Sequence, residues 1–172
     1  MTKYKGSFRI ESSRLKTWDY SNPWWYYITV NTKIHVSYFG RVEKGKMILS
    51  EIGKIVEKYW KEIPTHFPGI ELDYYIIMPN HLHGIIIINP QVETPDRASL
   101  QNPLLSQIIN QFKGSVKRWA NKNNYTNFSW QPRFYDRIIR NEKELFNIRK
   151  YIEQNPLKWE LEKDKLENIY EL

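Results

Sequence analysis

Two histidines separated by one residue, in Met78-Pro79-Asn80-His81-Leu82-His83-Gly84, can hold a metal ion if they lie on a β-strand. Alternate residues of a strand point to the same face, about 7 Å apart along the backbone, so both imidazoles of His81 and His83 can meet one ion. Pro79 cannot occupy the middle of a hydrogen-bonded ladder, which places the pair at a strand start, where a metal would stay accessible to solvent. Taken alone, His-x-His is a weak signal, more often the pattern of two structural or incidental histidines. His35 and His66 have no such partner and are assigned no role.

A second group of residues lies in Asn141-Glu-Lys-Glu-Leu-Phe-Asn-Ile-Arg-Lys-Tyr151-Ile-Glu-Gln-Asn155-Pro156. At about 100° per residue, Leu145, Ile148 and Ile152 form one buried helical stripe, with Tyr151 and Asn155 about 40° apart at its edge. Tyr151 can act as a nucleophile while Asn155 offers an amide oxygen as a third metal ligand. Pro156 disfavours helical geometry at Asn155 and is expected to stop the helix. The plainer alternative is a half-buried core tyrosine followed by an ordinary helix-end residue.

The composition narrows this chemistry. The 172 residues suit one domain with a sizeable core. Without cysteine, a thiolate metal site is excluded and any ion must be held by His, carboxylate, amide or hydroxyl groups. No apolar run reaches the roughly 18 residues a membrane span needs, and no secretory signal pattern opens the chain, so a cytoplasmic protein is expected. The net charge is +7, and all of the surplus sits in one segment. Arg97, Lys113, Lys117, Arg118, Lys122, Arg133, Arg137 and Arg140 face the single acid Asp136 there, as expected of a surface meeting a polyanion. Solvated basic faces without a partner remain the alternative on charge alone.

The elements that must position these residues follow from periodicity and turn chemistry. Residues 1–22 read as a basic arm and 160–172 as an acidic tail of the same domain. Trp24 to Thr32 is a β-branched and aromatic strand, and Lys44-Gly45-Lys46 turns a hairpin between Tyr38–Val42 and Met47–Leu49. Ser50 caps a helix that Pro64 ends, and strands near 70–78 and 82–88 follow. Asn89 to Asn102 reads as a loop, with Asn102 and Pro103 opening a helix whose stripe is Leu105, Ile108, Ile109, Phe112, Val116 and Trp119. A strand from about Arg133 to Ile139 precedes the last helix, which begins on the capping pattern Asn141 and Glu144. Hairpin-connected strands with inserted helices predict an α+β fold, an antiparallel sheet with helices packed on one face.

Four motifs then occur together: Met78-Pro79-Asn80-His81-Leu82-His83, Gln111-Phe112-Lys113-Gly114, Trp130-Gln131 with Phe134-Tyr135-Asp136, and Tyr151-Ile152-x-x-Asn155-Pro156. In order and spacing the chain resembles the REP-associated tyrosine transposases, relatives of the single-tyrosine HUH transposases of small insertion sequences, over roughly Trp24 to Trp159. The resemblance implies a ferredoxin-like HUH sandwich, a metal held by His81 and His83 with Asn155 contributing, and Tyr151 as catalytic nucleophile. It also implies a single-stranded DNA substrate, a hairpin formed by a palindromic repeat.

A metal-dependent transposase or nuclease of this kind would cleave and rejoin hairpin-forming DNA through a 5′-phosphotyrosine intermediate. A phenol is a poor nucleophile at neutral pH, so the ion, Mg²⁺ or Mn²⁺, would polarise the scissile phosphate and orient it for in-line attack. Lys113, Lys117, Arg118, Lys122, Arg133, Arg137 and Arg140, with Arg14 and Arg9 of the arm, are candidates to contact the DNA backbone. Trp130, Phe134 and Tyr135 are candidates to stack on bases, with core packing as the alternative. A monomer is favoured over a homodimer. Three other readings compete: a non-catalytic repeat-binding protein, a His-x-His metal phosphodiesterase using water, and an RNA-binding sheet.

Overall fold

The β-branched and aromatic run at residues 24–31 forms an inner strand of a four-stranded antiparallel sheet. The computed structural model describes residues 3–4, 7–8, 18–20, 22–90 and 103–170, with the side chains of 18–20, 22–90 and 103–162. Arg9, Arg14, Arg97 and most of the expected 89–102 loop lie outside the described residues. The elements in chain order are Lys3–Tyr4 (β1), Ser7–Phe8 (β2), Trp24–Asn31 (β3), Gly40–Glu43 (β4), Lys46–Leu49 (β5), Glu51–Lys61 (α1), Ile63–His66 (α2), Ile70–Met78 (β6), His81–Ile88 (β7), Leu104–Lys122 (α3), Tyr135–Ile138 (β8) and Glu142–Tyr170 (α4). The main sheet has the order β6-β7-β3-β8, and β4 pairs with β5 in a separate hairpin.

The expected α+β class is the observed one, but helices cover both faces of the sheet. Tyr26, Ile28, Val30, Leu82, Ile86 and Ile88 point toward one core, shared with Trp60 of α1 and Leu105, Ile108, Phe112 and Val116 of α3. Tyr27, Ile85 and Ile87 point the opposite way and pack with Leu145, Ile148 and Ile152 of α4. The run Ile85-Ile86-Ile87-Ile88 carries the reason: a strand with apolar residues at every position buries both faces, because successive side chains alternate. The histidine pair has the parity of Ile85 and Ile87, which puts it under α4.

Two prolines behave differently from expectation. Ser50 does cap α1, its Oγ accepting from Gly53 N at 3.1 Å, but α1 ends before Pro64, which sits in the first turn of α2. A missing N–H costs nothing there. Pro156, expected to stop the last helix, lies inside α4. The helix continues because its far half is tied down: the Glu160 carboxylate accepts from Lys44 N (2.8 Å) and Gly45 N (2.6 Å) in the β4–β5 turn. Its near half is capped by Asn141, whose Oδ1 accepts from Glu144 N at 2.9 Å. Arg149 joins it to β6 by an ion pair with Asp73 at 2.8 Å.

Candidate active site beneath the last helix

Register determines what surrounds the histidines. In the β3–β7 ladder Asn31 is opposite His81 and Thr29 opposite His83. Both imidazoles thus stand at the start of β7, after the Pro79-Asn80 turn, as their spacing predicted. That turn is held from outside the hairpin: Thr32 donates to Asn80 O through its N–H (2.9 Å) and hydroxyl (3.0 Å), and Phe39 N donates to Pro79 O at 2.9 Å.

The two rings lie 4.5 Å apart, centroid to centroid. The Tyr151 ring is 5.2 Å from that of His83, and the Trp159 ring 5.8 Å from that of His81. Residues 151, 155 and 159 follow one another at four-residue spacing and so form one stripe of α4. Asn155 lies on that stripe between them, one turn from each. Tyr151 is 41% exposed and open to a substrate, whereas Asn155 is only 6% exposed.

Each imidazole uses Nδ1 within the protein. His81 Nδ1 lies 2.6 Å from Asn80 Oδ1, while His83 Nδ1 lies 2.7 Å from the Tyr27 hydroxyl and 2.9 Å from Thr29 Oγ1. The outer nitrogen, Nε2, is left for a ligand in both rings, the arrangement in which protein groups orient metal-binding histidines. Burial pushes His81 down to about 4, with nearby His35 adding to it, and pushes His83 down to about 3, with His81 adding. Both rings are therefore neutral at neutral pH, the form that binds metal. Burial likewise pushes the Tyr27 hydroxyl well above the usual tyrosine range, so it stays a neutral hydrogen-bonding group.

This donor set fits a divalent ion. Two neutral imidazoles supply nitrogen, and the buried Asn155 carries an amide oxygen that could add a third donor. Among the described residues no cluster of three or more His, Asp or Glu groups could hold a metal ion, so an ion at the pair would need further oxygen ligands from outside these side chains.

The family model for IS200-like transposases matches residues 29–155, from the threonine touching His83 to Asn155 of α4. The chain belongs to that transposase family. An uncharacterized protein of Haemophilus influenzae is 37% identical over 171 residues, covering 92% of this transposase and 95% of the relative. Among solved structures, a REP-associated tyrosine transposase bound to a REP hairpin superposes with a TM-score of 0.57 at 19% identity, over 86% of this transposase and 74% of that chain. This likeness carries the mixed α+β fold.

Two shallow clefts meet at Tyr151 of the transposase. One, about 650 Å³, runs along β8 and the start of α4, lined by Tyr135, Arg137, Arg140, Lys143 and Asn147. The other, about 450 Å³, follows α4 past Lys150, Gln154 and Lys158. A larger cleft of about 780 Å³, lined by Trp24, Phe146 and Arg149, lies at the far end of the sheet and includes none of the four candidate site residues.

Of the expected DNA contacts, Arg137 and Arg140 reach the Tyr151 cleft, Arg137 also pairing with Glu144 at 2.6 Å. Arg133 is exposed just before β8. Arg118 and Lys122 are exposed on α3, which packs on the opposite face of the sheet. Lys113 and Lys117, expected at the DNA, are both engaged within the protein. Lys113 is buried, its Nζ donating to the carbonyls of Gln131 (2.7 Å) and Pro132 (3.1 Å), and Lys117 Nζ donates to the Phe128 carbonyl. Both amines act as internal ties for the chain between α3 and β8. Trp130 is a core residue among Phe39, Phe112 and Phe128, and its indole N–H donates to Lys113 O at 3.1 Å. Phe134 packs against the same core. Tyr135, at 45% exposed, stays available at the cleft.

Sequence reasoning missed Asn80, Tyr27, Thr29, Trp159 and Lys143. Asn80 stands beside His81 in the same motif and could have been noticed. The other four enter only through cross-strand register and the placement of α4.

Proposed function

We propose that this protein is a metal-dependent single-stranded DNA transposase that cleaves and rejoins hairpin-forming repeat DNA, with Tyr151 as nucleophile. The observation that carries the reading is the 5.2 Å approach of the Tyr151 ring to the His83 ring, which brings an exposed phenol beside two neutral imidazoles with outward Nε2 atoms. His81, His83 and Asn155 would hold the ion, Mg²⁺ or Mn²⁺. When bound, it supplies Lewis-acid polarisation of a phosphate oxygen.

The chain's own residues then carry the strand exchange. The Tyr151 oxygen attacks phosphorus, a new P–O bond forms, and the P–O3′ bond breaks. The phenolic proton is lost and the leaving 3′-oxygen gains one, so the products are a 5′-phosphotyrosine and a free 3′-hydroxyl. The number of phosphodiester bonds is unchanged, so a second 3′-hydroxyl can reverse the step and rejoin the strand without ATP.

Arg137, Arg140 and Lys143 would hold phosphates along the cleft leading to Tyr151, and Tyr135 offers a face for an unpaired base. A repeat hairpin as substrate is supported by the fold neighbour, which was solved with one.

The test is covalent capture. A labelled single-stranded repeat hairpin with Mn²⁺ should form a protein adduct that Tyr151→Phe abolishes. Cleavage by Tyr151→Phe at the wild-type rate would instead favour a phosphodiesterase with water as nucleophile, and binding without any cleavage by the wild type would favour a repeat-binding protein.

A further inference from the structure

The segment Lys33–His35 is the most unusual backbone near the site. Ile34 has φ 49° and His35 φ 55°, the left-handed region, which is a true outlier for a β-branched residue. Ile34 is 82% exposed, so no packing of its side chain compensates the conformation. The turn does deliver one group to the site: the His35 carbonyl accepts from Asn80 Nδ2 at 3.0 Å. Backbone strain that persists beside a functional site is a reason to ask what it holds.

We infer that the strained turn, the His35 carbonyl and the Asn80 amide form a relay that locks His81 in the tautomer with its proton on Nδ1, keeping Nε2 bare for a metal. The inference rests on the proposed metal role of His81. Its logic is one of donors and acceptors. A carbonyl only accepts, so the Asn80 edge facing His35 must be the NH₂. The flipped amide would set two oxygens against each other at that 3.0 Å distance. The other edge, Oδ1, therefore faces His81 Nδ1 at 2.6 Å and can only accept. A neutral imidazole must then carry its proton on Nδ1, which leaves the Nε2 lone pair unprotonated.

His83 is held differently. The Tyr27 and Thr29 hydroxyls beside its Nδ1 can each donate or accept, so they orient the ring without dictating its tautomer. His81 is the preorganised member of the pair and His83 the adaptable one. Asn80 is thus a positioning residue that acts through His81.

The relay is tested on the metal-free full-length protein by ¹⁵N–¹H correlation NMR of the histidine side chains, and separately by Mn²⁺ titration followed by electron paramagnetic resonance. In the wild type His81 should show the Nδ1–H pattern before any metal is added. Asn80→Ala should release it toward Nε2–H and weaken Mn²⁺ binding about 10- to 100-fold, the usual effect of removing a group that orients a metal-binding histidine. Asn80→Asp keeps an acceptor at Nδ1 but replaces the donor to His35 with an oxygen that repels its carbonyl, so it should loosen the turn while retaining the Nδ1–H pattern and binding Mn²⁺ at least as well as Asn80→Ala. That variant separates the relay from mere loss of folding.

A wild-type His81 protonated on Nε2, or an Asn80→Ala protein with unchanged tautomer and Mn²⁺ affinity within twofold of wild type, overturns the relay. A wild type that shows the Nδ1–H pattern and binds no Mn²⁺ overturns the metal reading of the site and leaves the relay standing.

Discussion

Gly84 separates His83 from Ile85, and the structure sets what a single methyl group there would do. A Cβ at residue 84 would lie 2.4 Å from Trp60 Cζ2, 3.0 Å from Cε2 and 3.1 Å from Cη2. Reaching an ordinary contact of about 3.4 Å takes a displacement of about 1 Å. Neither side yields easily: Trp60 is fully buried and packed edge-on against Phe112 with centroids 5.4 Å apart, and β7 is paired to β3 and β6 along its length. Overpacking of this kind costs about 1–3 kcal/mol, and the rigidity of both partners argues for the upper half of that range. For a chain of this size the expected fall in Tm is roughly 4–12 °C. Because His83 adjoins the insertion, Gly84→Ala should also weaken Mn²⁺ binding. The assay is urea unfolding of a double-mutant cycle with Trp60→Phe, whose smaller ring removes the three clashing atoms. The double mutant should be more stable than the sum of the single effects predicts, by about 1 kcal/mol or more. Additivity within experimental error, or a Gly84→Ala cost below about 0.5 kcal/mol, would refute the account of why glycine stands behind the histidines.

Lys113→Met should destabilise by about 1–3 kcal/mol through the two carbonyls left without a donor, while leaving DNA affinity and its salt dependence unchanged in a filter-binding titration. Burial pushes Lys113 from the ordinary 10.5 down to about 8, so between these two pH values the unfolded chain binds more protons than the folded one. The Lys113 contribution to stability therefore rises with pH across that window. Comparing urea midpoints of wild type and Lys113→Met from pH 8 to 10.5 should show the wild type gaining relative to the variant, and a falling difference would contradict the burial argument. Arg140→Ala should weaken single-stranded DNA binding and lower the slope of log affinity against log salt by roughly one contact. Arg118→Ala and Lys122→Ala, on the opposite face, should leave that slope as it was, and an equal effect from all three would mean that the DNA does not follow the cleft at Tyr151.

The candidate site was legible in the sequence because it depends on two local periodicities. Residues two apart on a strand share a face, which joined His81 to His83, and residues four apart on a helix share a stripe, which joined Tyr151 to Asn155. The cap of α4 was equally legible, since Asn141 and Glu144 interact within one turn. Pro156 misled because its helix-breaking tendency is local, whereas the contacts that carry α4 beyond it come from Lys44 and Gly45, over a hundred residues away.

Charge told less than position. Lys113 and Arg140 contribute equally to the net charge, yet one amine is buried against two carbonyls and the other residue lines the cleft at Tyr151. The element carrying each residue decided between these outcomes: Lys113 lies on α3 against the chain that leads to β8, and Arg140 lies between β8 and α4. By itself the sequence determined the element types, the parity that pairs the histidines, the spacing that pairs tyrosine with asparagine, and the excess of positive charge. All of these act between residues close along the chain. Only the tertiary structure decided that α4 covers the histidine face, that the hydroxyls of Tyr27 and Thr29 meet His83, and that the His35 carbonyl reaches Asn80. Those relations join segments far apart in sequence, and they exist only once the sheet has taken its register and buried both of its faces.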